Sequence, residues 1–574
     1  MKLSTVRPSG LFSSVLAGFS ALFLGLPEAI QAQAVDRLPY APIANPMRDS
    51  GIPQQIRDMQ TLRIGRVRVN QAGYRAMDVQ VGMAKFYYIG SATAFSVFDT
   101  AGNLPAGNGA LVAKNFTSGS KITVKGSRWA GLVSGGDSAY GLSSDKMGTS
   151  IPKSPVMEGT LPSTLLEGHS YRVVVGKDTS PIFLVSDSVY GYVRDNVLKF
   201  YGINRSGDGP SWFHAPSHLT DGFLARPSKP GAYKGGWYDC GDHLKEPQTM
   251  GYALVTLAAL AATLPGHDED KYANNHLFTL RTDGIPDILN EARFGAQFFL
   301  NSWRLNGNQT GPGRAGDSGM VTGVGDFGKD HGWWGRPEAQ DAMRETGRGG
   351  PSERILRSEL GANTLGDVAA SLAILSKRWR LYDPKWADTA LMAAKDMYAW
   401  AKAHPIVVSS PAYNGAGADK VNANLAMAAT ALLWATRDSK YLQDIAYDKT
   451  LGSHGATWNS GAGVQPMVSS WEGGWMVMSN PNLTKGGANT DWANRHAIAL
   501  YTFYKLILAD KDSALKYGVR DEKERQNLIM HTVAGVIANL NSISGQKTDL
   551  QIPLPRSIPT TVAATRSARV PTGT

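Results

Sequence analysis

Apolar and polar positions follow two different rhythms along the chain, and the change falls near Ser188. Before it, residues 62–69, 79–88, 94–98, 121–124 and 170–175 form short runs rich in β-branched and aromatic side chains, broken by Gly, Asn and Asp. Runs of this kind at close spacing predict an antiparallel β-sandwich. Gly102-Asn103 and Gly135-Gly136-Asp137 supply turn chemistry between them. After Ser188, apolar residues recur every three or four positions. That period predicts helices over 189–201, 248–262, 285–300, 365–381, 388–403, 423–436 and 494–508. Many of these segments are Ala-rich, which allows close packing, and long Gly/Pro/Asn-rich loops separate them. Serial helices with decorated loops predict an α-barrel whose loops build a site at one end.

The ends of the chain read differently. Lys2 and Arg7 precede an apolar run from Leu11 to Leu26, and Ala32-Gln33-Ala34 places small residues where a signal peptidase reads. Residues 1–34 are therefore expected to be a signal peptide cleaved after Ala34, making the protein secreted or periplasmic. The run is short for a membrane span, so no stable membrane insertion is expected. Residues 35–60 are Pro-rich and irregular, and 549–574 form a Pro/Thr-rich tail of disordered composition. Between them the expected units are a β-sandwich over 61–187 and a helical barrel over 188–548.

Composition narrows the chemistry. At 574 residues the chain is long enough for two folding units, and 42% hydrophobic residues argue against wholesale disorder. Its single cysteine, Cys240, excludes an intramolecular disulfide and a Cys-based zinc site. The net charge of +10 raises the question of nucleic acid. No dense Lys/Arg block and no nucleic-acid-binding signature accompany it, so no nucleic-acid partner is expected.

Chemistry gathers most densely in Gly235-Gly236-Trp237-Tyr238-Asp239-Cys240-Gly241-Asp242-His243. Glycines flank two carboxylates three positions apart, which predicts a tight loop just before the helix that starts near Gln248. Glycoside hydrolysis needs one group to activate water and another to protonate the leaving oxygen, and paired carboxylates suit that work. Spacing alone leaves two alternatives open: one Asp caps the following helix, or both bind a structural cation.

This segment resembles the Asp-Ala-Gly-Asp stretch of glycoside hydrolase family 9, whose members are mostly cellulases. Asp283-Gly284-Ile285-Pro286-Asp287 resembles a helix start of that family, and His331-Gly332-Trp333-Trp334-Gly335-Arg336-Pro337-Glu338 its His/Trp/Arg-Pro-Glu loop. Asp383 to Tyr398 and Ala428 to Asp438 are similar to later barrel helices. Upstream, Arg68-Val69-Asn70-Gln71-Ala72-Gly73-Tyr74 resembles the first strand of the immunoglobulin-like module that often leads these enzymes. The likeness runs over most of 62–510. It implies an immunoglobulin-like β-sandwich followed by an all-α (α/α)6 barrel, and an inverting attack on β-1,4-glucosidic bonds of cellulose or a related β-glucan.

Carried onto this chain, the resemblance makes Asp242 the general base and Asp239 the group that holds the attacking water. The general acid of the family is a Glu in an Asn-Glu-Val-Ala-like stretch. Laying Asn489 to Leu500 over that stretch puts Asp491 at the Glu position, one methylene shorter, with helix capping as its alternative role. Glu472 is the reserve acid. His331, Trp333, Trp334 and Arg336 are the expected sugar contacts. The sugar-binding His-His-Arg segment of the family has no counterpart; His454 with Trp458 and Arg495 with His496 are the nearest substitutes. No cofactor or metal is required for the chemistry, and the resemblance leaves room for a structural Ca²⁺. Two rival functions stand beside hydrolysis of β-glucan: exo-acting hydrolysis of amino sugars on the same fold, and glycan binding without catalysis.

Overall fold

The computed structural model describes residues 66–543 apart from 115–141, 145–149, 153–155, 209–213, 223–230, 265, 274–278, 314–318, 332–334, 343–353, 409–418, 448–467 and 470–494. The expected signal peptide, the segment 35–60 and the tail 549–574 therefore lie outside the described residues, as do the strand expected over 121–124 and the turn at Gly135-Gly136-Asp137.

Strand alternation builds the first unit. Lys85–Ile89 and Ser170–Val175 bury every second residue, so each presents one apolar face. The strand Leu104–Lys114 ties the sheet together. Its first part pairs with Ala94–Asp99 and its second with Val156–Thr160, all antiparallel. Val156–Thr160 continues to Lys85–Ile89 and then Val67–Arg68, while Ala94–Asp99 continues to Ser170–Val175 and Phe183–Leu184. The two arms of this one sheet share a single apolar core. Phe86 of one arm packs edge-on to Phe95 of the other at 4.8 Å between ring centres. Tyr88, Val97, Tyr171 and Val173 complete that core. Gly102 and Asn103 both have positive φ, 81° and 55°, making the tight reversal the sequence predicts.

One expected strand is partly corrected. Residues 79–80 belong to a short helix, Ala76–Gln80, and the strand begins only at Lys85. Arg75 pairs with Asp78 at 2.6 Å across this turn, a local bond that an extended chain does not make. The alternation starting at Val79 is thus the buried side of a helical turn running into a strand.

The second unit is helical. Ala362–Trp379 buries residues on all its faces, which marks an inner helix, whereas Pro384–Ala403 buries only a stripe including Trp386, Ala390, Ala394, Met397 and Ala401. Pro247–Thr263, Ala362–Trp379, Asp419–Thr436 and His496–Phe503 pack in that order, and the last returns to touch the first. Asp287–Leu305 and Pro384–Ala403 pack against this inner ring. Small residues such as Ala258, Ala369, Ala373, Ala426 and Ala429 let the inner helices approach closely. Start signals are local: Asp383 accepts a hydrogen bond from the Trp386 amide, and Pro384 and Pro247 occupy first-turn positions.

The N-terminal ends of the inner helices converge. Asn424 donates to Asp367 at 2.6 Å, and the Arg495 guanidinium pairs with the same carboxylate at 2.8 Å while lying over the Tyr252 ring. The loop carrying Asp239 and Asp242 feeds directly into Pro247–Thr263, so the candidate site stands at this same end of the barrel. No helix among the described residues is long and apolar enough to cross a membrane.

Candidate active site

The double glycine shapes the loop. Gly235 and Gly236 have φ of 88° and 75°, a region that side chains disfavour. Trp237 then plunges into the barrel wall, where its indole nitrogen donates to Glu291 at 2.8 Å. Glu291 is itself paired with buried Arg205 at 2.6 Å. The Tyr238 amide donates to the Asn204 carbonyl and the Asp239 amide to the Leu244 carbonyl. Those bonds close residues 239–244 into a small loop with its two carboxylates turned toward one another.

Asp242 is fully buried, and Asp239 is half-buried beside it. One Asp242 oxygen accepts from the Leu244 amide at 2.9 Å; the other accepts from the Cys240 thiol at 3.0 Å. His331 brings Nδ1 to 3.1 Å of that second oxygen and stacks on Phe327 at 4.7 Å. Burial raises the Asp242 carboxyl above its ordinary range, the Asp239 charge adds to the rise, and the Cys240, Leu244 and His331 contacts oppose it. Asp239, Asp242 and His331 offer donor atoms all within 4.8 Å of one another, close enough to hold a divalent cation or a single water. The same proximity decides a second question. The acid and base of an inverting glycosidase stand roughly 6.5–9.5 Å apart, so these two aspartates cannot be that pair.

The structure brings together Asp239, Asp242 and His331, and sets Arg336 at the start of helix Pro337–Ala342 on the His331 side. Trp333, Trp334, Glu472 and Asp491 lie outside the described residues. The helix after Asp491 begins at His496, with Arg495 in the cap position. Arg495 carries a further implication. Asn494-Arg495-His496-Ala497 also contains an Asn-x-x-Ala frame, with the buried cation Arg495 as its second residue.

Beneath the carboxylates lies a polar network that sequence spacing does not reveal. The Lys245 ammonium pairs with Asp221 at 2.6 Å, and Arg354 bridges Asp221 at 2.9 Å and Asp330 at 3.0 Å. Burial pushes Lys245 down to about 8 against the pull of Asp221. Two cations face two carboxylates, so the buried charge balances; removing one partner of such a group costs about 3–5 kcal/mol. The members come from segments far apart in the chain, and none of them sits inside the Gly235–His243 motif.

Residues 190–543 match the sequence profile of Glycosyl hydrolase family 9. The chain is 28% identical over 249 residues to Endoglucanase A of Fibrobacter succinogenes, covering 41% of this chain and 51% of that protein. It is 29% identical over 314 residues to Endoglucanase B of Cellulomonas fimi, covering 50% of this chain and 26% of that one. The chain thus spans about half the length of the first relative and a quarter of the second. Among solved structures, a metagenome-derived family 9 endoglucanase superposes with a TM-score of 0.51 at 17% identity, covering 82% of this chain and 71% of that one. A family 9 protein of Bacteroides ovatus gives 0.50 at 15%, covering 84% and 73%. At such identities the likeness speaks for the fold. With the profile spanning more than half of the chain and the paired aspartates set at the end of the helical ring, this protein belongs to glycoside hydrolase family 9.

Proposed function

We propose that the chain hydrolyses β-1,4-glucosidic bonds of cellulose or a related β-glucan with inversion, Asp242 acting as general base and Asp239 holding the attacking water. The convergence of Asp239, Asp242 and His331 at the open end of the helical ring carries this reading. Asp239 is the accessible member and fits the water-holding role. Asp242 is shaded by Cys240 and His331, so water reaches its oxygen once the Cys240 thiol turns aside. Asp491 is the proposed acid, with Glu472 in reserve. His331, Trp333, Trp334 and Arg336 contact the sugar. We also read residues 61–187 as immunoglobulin-like, 188–548 as the (α/α)6 catalytic barrel, and 1–34 as an export signal.

Reducing-end release from carboxymethylcellulose and mixed-linkage β-glucan tests the reading. Asp242→Ala and Asp491→Ala are each expected to lose about a hundredfold or more, the scale of removing an acid or base. A wild type that releases nothing from either polymer sinks β-glucan hydrolysis.

Arg495 favours a second reading, in which the acid is absent and the chain binds glycan or cleaves only activated bonds. A dinitrophenyl β-cellobioside separates the two, because so good a leaving group needs no proton. Turnover of the aryl glycoside without turnover of polymer identifies a site that holds its base and lacks its acid. Loss of polymer turnover in Asp491→Ala, with aryl turnover kept, identifies Asp491 as the acid.

A further inference from the structure

Gln340 is fully buried, on helix Pro337–Ala342, and three segments of the chain end on its amide. Its carbonyl oxygen accepts from His243 Nδ1 at 2.6 Å and from His218 Nε2 at 3.0 Å. Its amide nitrogen donates to Asp330 at 3.1 Å. His243 is the chain neighbour of Asp242, and Asp330 is the chain neighbour of His331. The amide therefore joins the loop that carries the carboxylates to the π-helical turn Phe327–His331 that presents the imidazole.

Each arm is fixed by further bonds. One Asp330 carboxylate oxygen accepts from the Asp326 amide at 2.7 Å and the other from Arg354 at 3.0 Å, which holds the turn in shape. His218 Nδ1 accepts from the Tyr238 hydroxyl at 2.5 Å, and Tyr238 bonds Ser217 at 2.7 Å. His243 Nε2 lies 3.1 Å from the Gly335 carbonyl, one residue before Arg336. Asp341 faces the same place, accepting from the His218 amide at 2.6 Å. An amide is the one neutral side chain that accepts from two imidazoles with its oxygen while donating to a carboxylate with its nitrogen.

We propose that Gln340 is a positioning residue for hydrolysis, holding His331 against Asp242 by tying His243 to Asp330. The proposal rests on Asp242 being the base. Misplacing a reacting group by about an ångström can cost up to a hundredfold in rate, so a tie between the two neighbours of the reacting pair is expected to act on turnover more than on binding.

Two substitutions separate positioning from bulk stability. Gln340→Leu keeps the size and removes both roles. Gln340→Glu keeps the shape, and only its protonated form can donate to Asp330 while accepting from the two histidines; ionised, it faces the Asp330 charge, with Arg354, His218, His243 and Asp341 around it. Kinetics are measured across pH on protein that circular dichroism shows to be folded. The expected result is a kcat for Gln340→Leu reduced roughly tenfold to a hundredfold with KM little changed. Gln340→Glu is expected near wild-type kcat at low pH and to lose it as pH rises, a trend that a merely structural role does not produce in folded protein. Both variants staying within about twofold of wild type at every pH overturns the proposal. A crystal structure of Gln340→Leu gives a readout free of activity. Opening of the 3.1 Å His331–Asp242 contact supports the tie even if wild type proves inactive on β-glucan, and an unchanged contact overturns it.

Discussion

As the proposed base, Asp242 must be ionised to take a proton from water, and its burial works against that. Burial is the largest influence and raises its carboxyl above 3.8; the neighbouring Asp239 charge raises it further. A base whose pKa is raised loses activity at a higher pH on acidification, so the acid limb of kcat/KM is expected above the ordinary aspartate range. Asp239→Asn removes a like charge and should move that limb toward lower pH, whatever it does to the rate. Cys240→Ala removes a donor to the ionised form and should move it upward. A limb that Asp239→Asn leaves in place removes Asp242 from the base role. At this scale the sequence was legible where chemistry is packed into short motifs: Asp239, Asp242 and His331, named from their segments, come together in the fold. The Cys240 thiol bond and the Gln340 tie were not legible. The first depends on the direction of a side chain two residues away and the second on a partner 97 residues away, and no spacing rule applies to either.

Elements were read well where one period ruled. The helices Val189–Ile203, Pro247–Thr263 and Pro384–Ala403 lie within a few residues of the expected spans. The helix expected over 494–508 begins at His496 and ends in a π-helical stretch, Tyr504–Leu508, a change of winding that hydrophobic spacing does not encode. Packing between elements is equally silent in the sequence. Gly295 sits in the interior of helix Asp287–Leu305, where Ala has the better intrinsic propensity by up to about 1 kcal/mol. A Cβ there would stand 2.0 Å from the Trp237 indole. Overpacking of this kind costs about 1–3 kcal/mol, so Gly295→Ala is expected to lower the melting temperature despite the helix gain. Trp237 anchors the carboxylate loop through Glu291, so the same change is expected to reduce turnover in the folded protein. A Gly295→Ala protein as stable as wild type would show that the indole has room to move.

For the whole molecule, the buried residues among those described fall into two separate clusters, one drawn from 67–185 and the other from 198–528. Net charge said nothing about either. Two cores without a common interior are expected to unfold with a calorimetric enthalpy larger than the van't Hoff enthalpy. Equal enthalpies would mean that the units melt as one. The chain as a whole also holds just one cysteine, an exposed residue of the carboxylate loop whose thiol turns in to Asp242. Desolvation by the loop and the Asp242 charge push the thiol up to about 12, so the reactive thiolate is scarce near neutrality. A maleimide fluorophore is therefore expected to attach slowly, at a single place, and more slowly still when an oligosaccharide fills the cleft. The native protein is in effect supplied with one labelling handle at its working end, and the rate of dye uptake becomes a direct gauge of occupancy.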